Sequence, residues 1–394
     1  MNLRSLFLNH VAQTSETPMM LEVERAEGIY IYSPDGKRYV DLIAGVSVSN
    51  LGHSHPRLVK AVQQQVEKYM HLMVYGEYIQ SPQVRFAALL TSYLPKELSS
   101  VYFVNSGSEA NEGAMKLAKR YTGRTEIIAF RNAYHGSTQG PLSIIGDESF
   151  RSSYRPLLPD IRSIEYNSFD DLKYITERTA CVVAEAIQGE AGIILPADGY
   201  LQQLRKRCSE VGALLVFDEV QTGFGRTGSL FAFQKYGVQP DILTVAKAMG
   251  GGMPMGAFIS SKEIMRTLTN NPVLGHITTF GGHPVSAAAG LTALEVLIEE
   301  QLMDSVAEKE QLFRKLLVHP KIKEVRGVGL ILAVELGDDE LLQKFIQRGR
   351  ENGILSDWFL FCTSAFRISP PLNISSKQIE EVSQLILKTL NEIK

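Results

Sequence analysis

The sequence predicts an α/β protein: a large domain on a mostly parallel sheet, joined to a smaller α+β domain. From about residue 56 to 285, short apolar runs alternate with helical patterns, the mark of a parallel sheet wrapped by helices. Polar and aromatic residues stand at the exits of those runs. At 394 residues the chain also exceeds one ordinary core. The expected division gives residues 1–55 to the small domain, 56–285 to the large one, and 286–394 to the small domain again.

The elements follow in order. Residues 1–55 hold a short helix candidate and then GIYIYSPDGKRYVDL, two alternating runs around Pro34-Asp35-Gly36 that read as a β-hairpin. After LGHSHP, helical spacing places Leu58, Val59, Val62, Val66 and Met70 on one face. His53 and His55, two apart beside Gly52 and Pro56, read as a turn and not as a metal pair. Five apolar runs come next. VYFV leads into Asn105-Ser106-Gly107-Ser108, IIAF towards Tyr134-His135-Gly136, and CVVAEAI to Gln188-Gly189-Glu190. Leu214–Phe217 ends at Asp218 and Ile242–Ala246 at Lys247. One crevice at the carboxyl ends of these strands would collect all of them. Past His283-Pro284, VSAAAGLTALEVLIEE reads as a long helix joining the two domains, and VGLILAVEL and EEVSQLILKTL as a strand and a helix of the smaller one.

Composition excludes several classes. Hydrophobic content of 44%, charged content of 21% and 32 glycines fit a soluble enzyme. A formal charge of -3 gives no electrostatic reason to bind nucleic acid or an anionic membrane. Cys181, Cys208 and Cys362 are far apart and form no CxxC, which suggests a reducing compartment and no structural metal. Asn9 and His10 cut short the N-terminal apolar residues, and no apolar run reaches membrane-spanning length. A cytoplasmic protein is expected.

Asp218 and Lys247 carry the chemistry. A carboxylate can hold a protonated ring nitrogen, and an amine can form a Schiff base with an aldehyde. Together those roles describe pyridoxal phosphate held in an enzyme. Taken singly, the same residues read as an Asp starting a turn and a surface Lys. Ser106-Gly107-Ser108-Glu109 opens a helix candidate, where bare N–H groups suit a phosphate. Ser106 with Glu109 equally fits a capping box. Gly223-Phe-Gly225-Arg-Thr-Gly228 matches the dinucleotide GxGxxG and raises a rival, a nicotinamide oxidoreductase. The context opposes it, because DEVQT separates the glycines from the strand end. Gly250-Gly251-Gly252 puts Lys247 on a crowded turn.

SGSEANEGAMKLA, YHGST, DEVQTGFGRTG, AKAMGGGMPMGA and TTFGGHP, in this order, resemble class III (omega) aminotransferases. These are fold-type-I pyridoxal phosphate enzymes, including acetylornithine, ornithine and 4-aminobutyrate aminotransferases. The resemblance spans nearly the whole chain. It implies that Lys247 is the Schiff-base lysine and Asp218 the partner of the pyridine nitrogen. Ser106, Gly107 and Ser108 would take the phosphate, Tyr134 (with His135 beside it) and Val220 the ring faces, and Gln221 the ring hydroxyl. Thr279 is similar to a threonine that reaches the neighbouring subunit's phosphate, which implies a homodimer with shared sites. Glu190 and Arg367 resemble a switching pair, in which the arginine binds an α-carboxylate and the glutamate masks it for omega-amino substrates.

Ser137 departs from the pattern, standing where acetylornithine and ornithine enzymes read HGR. Ala186 for the proline of EPIQGE and His283 for the asparagine of FGGN are milder changes. With Ser137 in that place, Glu77 could pair with a second amine, while Tyr75 and Tyr78 could bond a carboxylate. The function implied is transfer of an omega-amino group from an acetylornithine- or ornithine-like donor to 2-oxoglutarate, giving a semialdehyde and glutamate. The alternatives are a 4-aminobutyrate or diamine donor, a cofactor-carrying protein without turnover, and the nicotinamide oxidoreductase.

Overall fold

The structure, a computed structural model, describes residues 2–394. Its centre is a seven-stranded sheet. The strand order is Ser100–Val104, Gly256–Ser260, Ile242–Ala246, Leu214–Asp218, Thr179–Ala184, Glu126–Phe130 and Ile161–Ile164. The last five of these pair in parallel. In four of them every residue is buried, so they read as continuous apolar runs and not as alternating ones. Gly256–Ser260 is antiparallel to both neighbours, which the sequence reading did not anticipate. Only the turn 247–255 precedes it, and a parallel crossover needs about a dozen residues or more.

Helices cover both faces of this sheet. Gly107–Thr122 presses Ala110, Ala114, Leu117 and Ala118 onto it and ends at Gly123, whose φ of 69° is the left-handed turn that stops a helix. Pro284–Glu299 packs against Pro56–Lys68 and Ser81–Ser92. The face expected on the Pro56–Lys68 helix is only partly buried. Leu58 and Gln65 are inside, whereas Val59, Val66 and Met70 are exposed. Pro284–Glu299 covers one side of this helix, and the helix ends at Lys68, short of Met70. The uncovered residues belong to a wider set of exposed apolar side chains that includes Leu72, Met73, Ile79 (94% exposed), Val273 and Phe280.

Two four-stranded sheets complete the chain. One orders Glu324–Val328, Ile331–Glu335, Cys362–Ile368 and Trp358–Phe359, all antiparallel. The other takes Arg25–Glu27, Tyr30–Tyr32 and Arg38–Asp41 from the N-terminus, and adds Ile354–Leu355 in parallel with the last. Both ends of the chain therefore share a sheet. His53 is used locally: its Nε2 lies 2.8 Å from Asp41 Oδ2 and ties the turn to the hairpin. Among the described residues no group of three His, Cys, Asp or Glu could hold a metal ion, and no helix is long and apolar enough to cross a membrane.

The GxGxxG stretch opens no helix. Its Arg226 is fully buried and donates to the carbonyls of Leu330 and Pro370 and to Asn50 Oδ1. A Cβ on Gly225 would come within 2.8 Å of Met303 and 2.9 Å of Leu372. These glycines let a loop lie flat against the C-terminal part of the chain.

Candidate active site

Asp218 and Lys247 meet because their strands are neighbours in parallel. The register pairs Asp218 with Thr244, three residues before Lys247. Both strands therefore empty into the same crevice. Lys247 has a φ of 52°, a left-handed value uncommon for a residue with a side chain. Gly251 and Gly252 follow with φ of 60° and 104°, and a Cβ on Gly251 would stand 2.7 Å from Leu58. The glycine run thus lets the lysine turn pack under a helix.

The crevice is a cleft of about 430 Å³. Ser106, Gly107, Ser108, Tyr134, His135, Ser137, Glu190, Asp218, Val220, Gln221 and Lys247 all line it. Asp218 is 5% exposed. Its Oδ2 accepts from Asn111 Nδ2 at 2.7 Å and lies 2.8 Å from His135 Nδ1, while Oδ1 accepts from the Val220 N–H at 3.0 Å. Thr244 Oγ1 in turn donates to Asn111 Oδ1 at 2.8 Å. A buried carboxylate needs such partners. Burial disfavours the imidazolium of His135, but the hydrogen bond and charge of Asp218 outweigh it and raise its pKa.

Lys247 lies in a different balance. Burial lowers the pKa of its amine; the charges of Glu190 and Asp218 oppose this without reversing it. Glu190 and Arg367 form a buried ion pair, with Arg367 Nη2 at 3.0 and 3.1 Å from the two carboxylate oxygens. Burial works against the Glu190 carboxylate, but the charge of Arg367 outweighs it and holds the pKa low.

The helix start at Ser106 has room for an anion. Ser106 Oγ accepts from the Glu109 N–H at 3.1 Å. The Glu109 carboxylate turns instead to the N–H and the side-chain amide of Asn105, at 2.7 and 2.8 Å, so the capping box does not close on Ser106. The N–H groups of Gly107 and Ser108 stand in the first turn, where no helical carbonyl reaches them. A Cβ on Gly107 would lie 2.8 Å from Val220 Cγ1, and one on Gly136 would collide with Ser108 Oγ. An anion recess, a braced carboxylate, a partly buried amine and the flanking Tyr134 and Val220 match the needs of pyridoxal phosphate.

Two of the named residues lie outside the cleft of their own chain. Thr279 is exposed, and Tyr75 lies beside it, outside this cleft, with its hydroxyl 3.5 Å from Thr279 Oγ1. Within one chain, Tyr75 does not line the space in front of Lys247. Ser137 sits exposed at the rim, its hydroxyl 2.9 Å from that of Tyr134. Glu77 and Tyr78 are exposed. Sequence reasoning missed Val48, Asn111 and Glu185, which also line the cleft. A signal existed for two of them: Asn111 interrupts a buried apolar helix face, and Glu185 interrupts the run CVVAEAI.

Comparison with known proteins agrees with this geometry. The family model described as aminotransferase class-III matches residues 11–390. A protein named acetylornithine aminotransferase from Methanopyrus kandleri is 42% identical over 317 residues, 80% of each chain. Another of that name from Methanosarcina mazei is 40% identical, over 96% of this chain and 93% of its own. Among solved structures, the ornithine aminotransferase of Toxoplasma gondii, which carries partially occupied pyridoxal phosphate at its active site, superposes with a TM-score of 0.91 at 30% identity. It covers 99% of this chain and 93% of its own. An (S)-enantioselective omega-transaminase from Thermomicrobium roseum gives 0.91 at 30% identity, over 99% and 97% of the two chains.

Glu185 leads to a pH-dependent prediction. Burial pushes its carboxyl up to about 7, against an ordinary 4.5; its Oε1 accepts from the Gly189 N–H at 2.9 Å and its Oε2 is buried with no partner among the described residues. The folded state therefore binds this proton more tightly than the unfolded chain. The stability it gives is complete below about pH 4.5 and is lost as the pH rises towards 7. In cofactor-free protein, Glu185→Gln should match wild type near pH 4 and exceed it by up to about 3 kcal/mol at pH 8. Urea unfolding at the two pH values measures this. A difference that does not change with pH would mean that Glu185 is ionised throughout.

Proposed function

The chain belongs to the class-III aminotransferase family, and we propose that it moves the omega-amino group of an acetylornithine- or ornithine-like donor to 2-oxoglutarate, giving a semialdehyde and glutamate. It is a pyridoxal-phosphate-dependent aminotransferase, acting on an amino donor and a keto acid. The observation that carries the finer reading is one cleft lined by Lys247, Asp218 and Glu190, with Arg367 paired to Glu190 behind its wall.

Pyridoxal phosphate supplies an aldehyde that takes up an amino group and a ring that draws electrons from the adjacent carbon. The residues of the chain do the rest. The N–H groups of Gly107 and Ser108 would hold the phosphate, and Tyr134 and Val220 would confine the ring. Gln221 would bond the ring hydroxyl. Asp218, braced by Asn111 and His135, keeps a proton on the ring nitrogen. Lys247 Nζ takes a proton from the substrate carbon that bears the amino group and returns it during transfer. Its lowered pKa makes the neutral amine more available for that work. Glu190 covers Arg367 while an omega-amine reacts, and gives way when the α-carboxylate of a keto acid enters.

Ser137 favours a second reading of the donor. At the rim it offers a hydroxyl beside that of Tyr134 and no cation. A 4-aminobutyrate or diamine donor would need none there. The deciding experiment measures glutamate formed from 2-oxoglutarate with acetylornithine, ornithine, 4-aminobutyrate and a diamine, in wild type and Ser137→Arg. We expect acetylornithine or ornithine to be preferred in wild type, and Ser137→Arg to raise kcat/KM for them about tenfold relative to carboxylate-free amines. A wild type that prefers the diamine supports the second reading. Loss of acetylornithine turnover in Ser137→Arg would mean that the carboxylate is held elsewhere.

We treat residues 56–285 as the cofactor-holding domain, with 1–55 and 286–394 forming the small one. The pairing of Ile354–Leu355 with Arg38–Asp41 supports this. The free cysteines support a reducing, cytoplasmic setting. The exposed apolar set around Val59, Met70, Ile79 and Phe280 supports a homodimer, since monomers rarely leave so much apolar surface in water. Thr279 and Tyr75 lie outside the cleft of their own chain, consistent with service to a partner's cofactor. Thr279→Ala should weaken pyridoxal phosphate retention about tenfold, the loss of one hydrogen bond to a charged phosphate. Equilibrium dialysis measures this, with sedimentation to confirm the dimer. A fully active monomer would sink the shared-site reading.

A further inference from the structure

Arg367 is held from more sides than its ion pair with Glu190 requires. It lies in the Cys362–Ile368 strand and is 2% exposed. Its Nε donates to Asp357 Oδ1 at 2.9 Å, and its backbone N–H donates to the Asp357 carbonyl at 2.9 Å. Ser356 Oγ donates to the Arg367 carbonyl at 2.7 Å. The guanidinium carbon stands 4.4 Å from the centre of the Phe359 ring. One short segment, 356–359, therefore grips the backbone, the inner edge and one face of this arginine.

The outer end is different. Nη2 carries both contacts to Glu190, and Nη1 is buried with no partner among the described residues. The remaining bonds of the Glu190 carboxylate are longer: Gln221 Nε2 to Oε1 at 3.3 Å and the Leu360 N–H to Oε2 at 3.2 Å. If one member of the pair must move, the bonds favour movement of Glu190. An arginine without the Asp357 contact could turn about its own side chain and follow the glutamate.

Resting on the reading of Arg367 as the keto-acid carboxylate site, we propose that Asp357 is a positioning residue. It fixes the Nε edge so that Nη1 and Nη2 remain as an end-on fork when Glu190 leaves. The planar fork is what makes arginine a two-pronged partner for carboxylates, and only an immobile one presents it without further ordering. Asp357 acts through Arg367 and touches neither substrate.

The test uses holoenzyme, with glutarate as a non-reacting dicarboxylate whose binding is read from the cofactor's absorbance. Asp357→Ala should weaken glutarate binding and raise the KM for 2-oxoglutarate, each about tenfold, while the acetylornithine half-reaction changes by less than about threefold. Asp357→Asn keeps an oxygen that accepts from Nε, and should recover most of the loss. Unchanged glutarate binding in Asp357→Ala, equal damage to both half-reactions, or an Asp357→Asn as impaired as the alanine variant would each overturn the assignment. Arg367→Lys separates the two levels. If it too binds glutarate normally, the carboxylate reading itself is wrong; if it fails while Asp357→Ala does not, only the role of Asp357 falls.

Discussion

Two adjacent parallel strands, Leu214–Asp218 and Ile242–Ala246, deliver a carboxylate and an amine to one end of a buried sheet, and the surrounding structure is arranged to tolerate this. A charge taken out of water costs several kcal/mol unless it is paired and hydrogen-bonded. Asn111, His135 and the Val220 N–H meet that demand for Asp218, and Thr244 fixes Asn111 in turn. Glu190 and Arg367 meet it for each other, although 177 residues separate them. Residues from distant parts of the chain thus converge because each buried charge requires a partner.

Strain is concentrated in the same region. Lys247 takes a left-handed conformation, and so do Ala44, Val46 and Ser47 in the turn that leads to Val48 on the cleft wall. Such conformations cost roughly 1–3 kcal/mol each and persist only where the surroundings over-determine them. Close packing against the Pro56–Lys68 helix supplies that for the lysine turn, through Gly251.

Much of this was legible from sequence because the signals are local. An apolar run followed by a polar exit marks a buried strand and its end, and Asp218, Lys247 and Glu190 were found that way. Pairings across the chain are not written in local spacing. Arg367 was reached through family resemblance, and Asp357 was not reached at all, because a lone Asp before Trp358 looks like any turn residue. Periodicity also reports only that a face is apolar, not what covers it. Val59, Val66 and Met70 carry the pattern of a core helix and yet stand uncovered by their own chain. The antiparallel Gly256–Ser260 strand was readable in principle, from the shortness of the turn before it.

Lys247, at the junction of these two strands, is proposed to bond the cofactor. Reducing the protein reconstituted with pyridoxal phosphate by borohydride, followed by peptide mass mapping, tests it directly. The expected product is a phosphopyridoxyl group on the peptide containing Lys247. A label fixed on a different lysine, or no label on a protein that retains the cofactor, would contradict it.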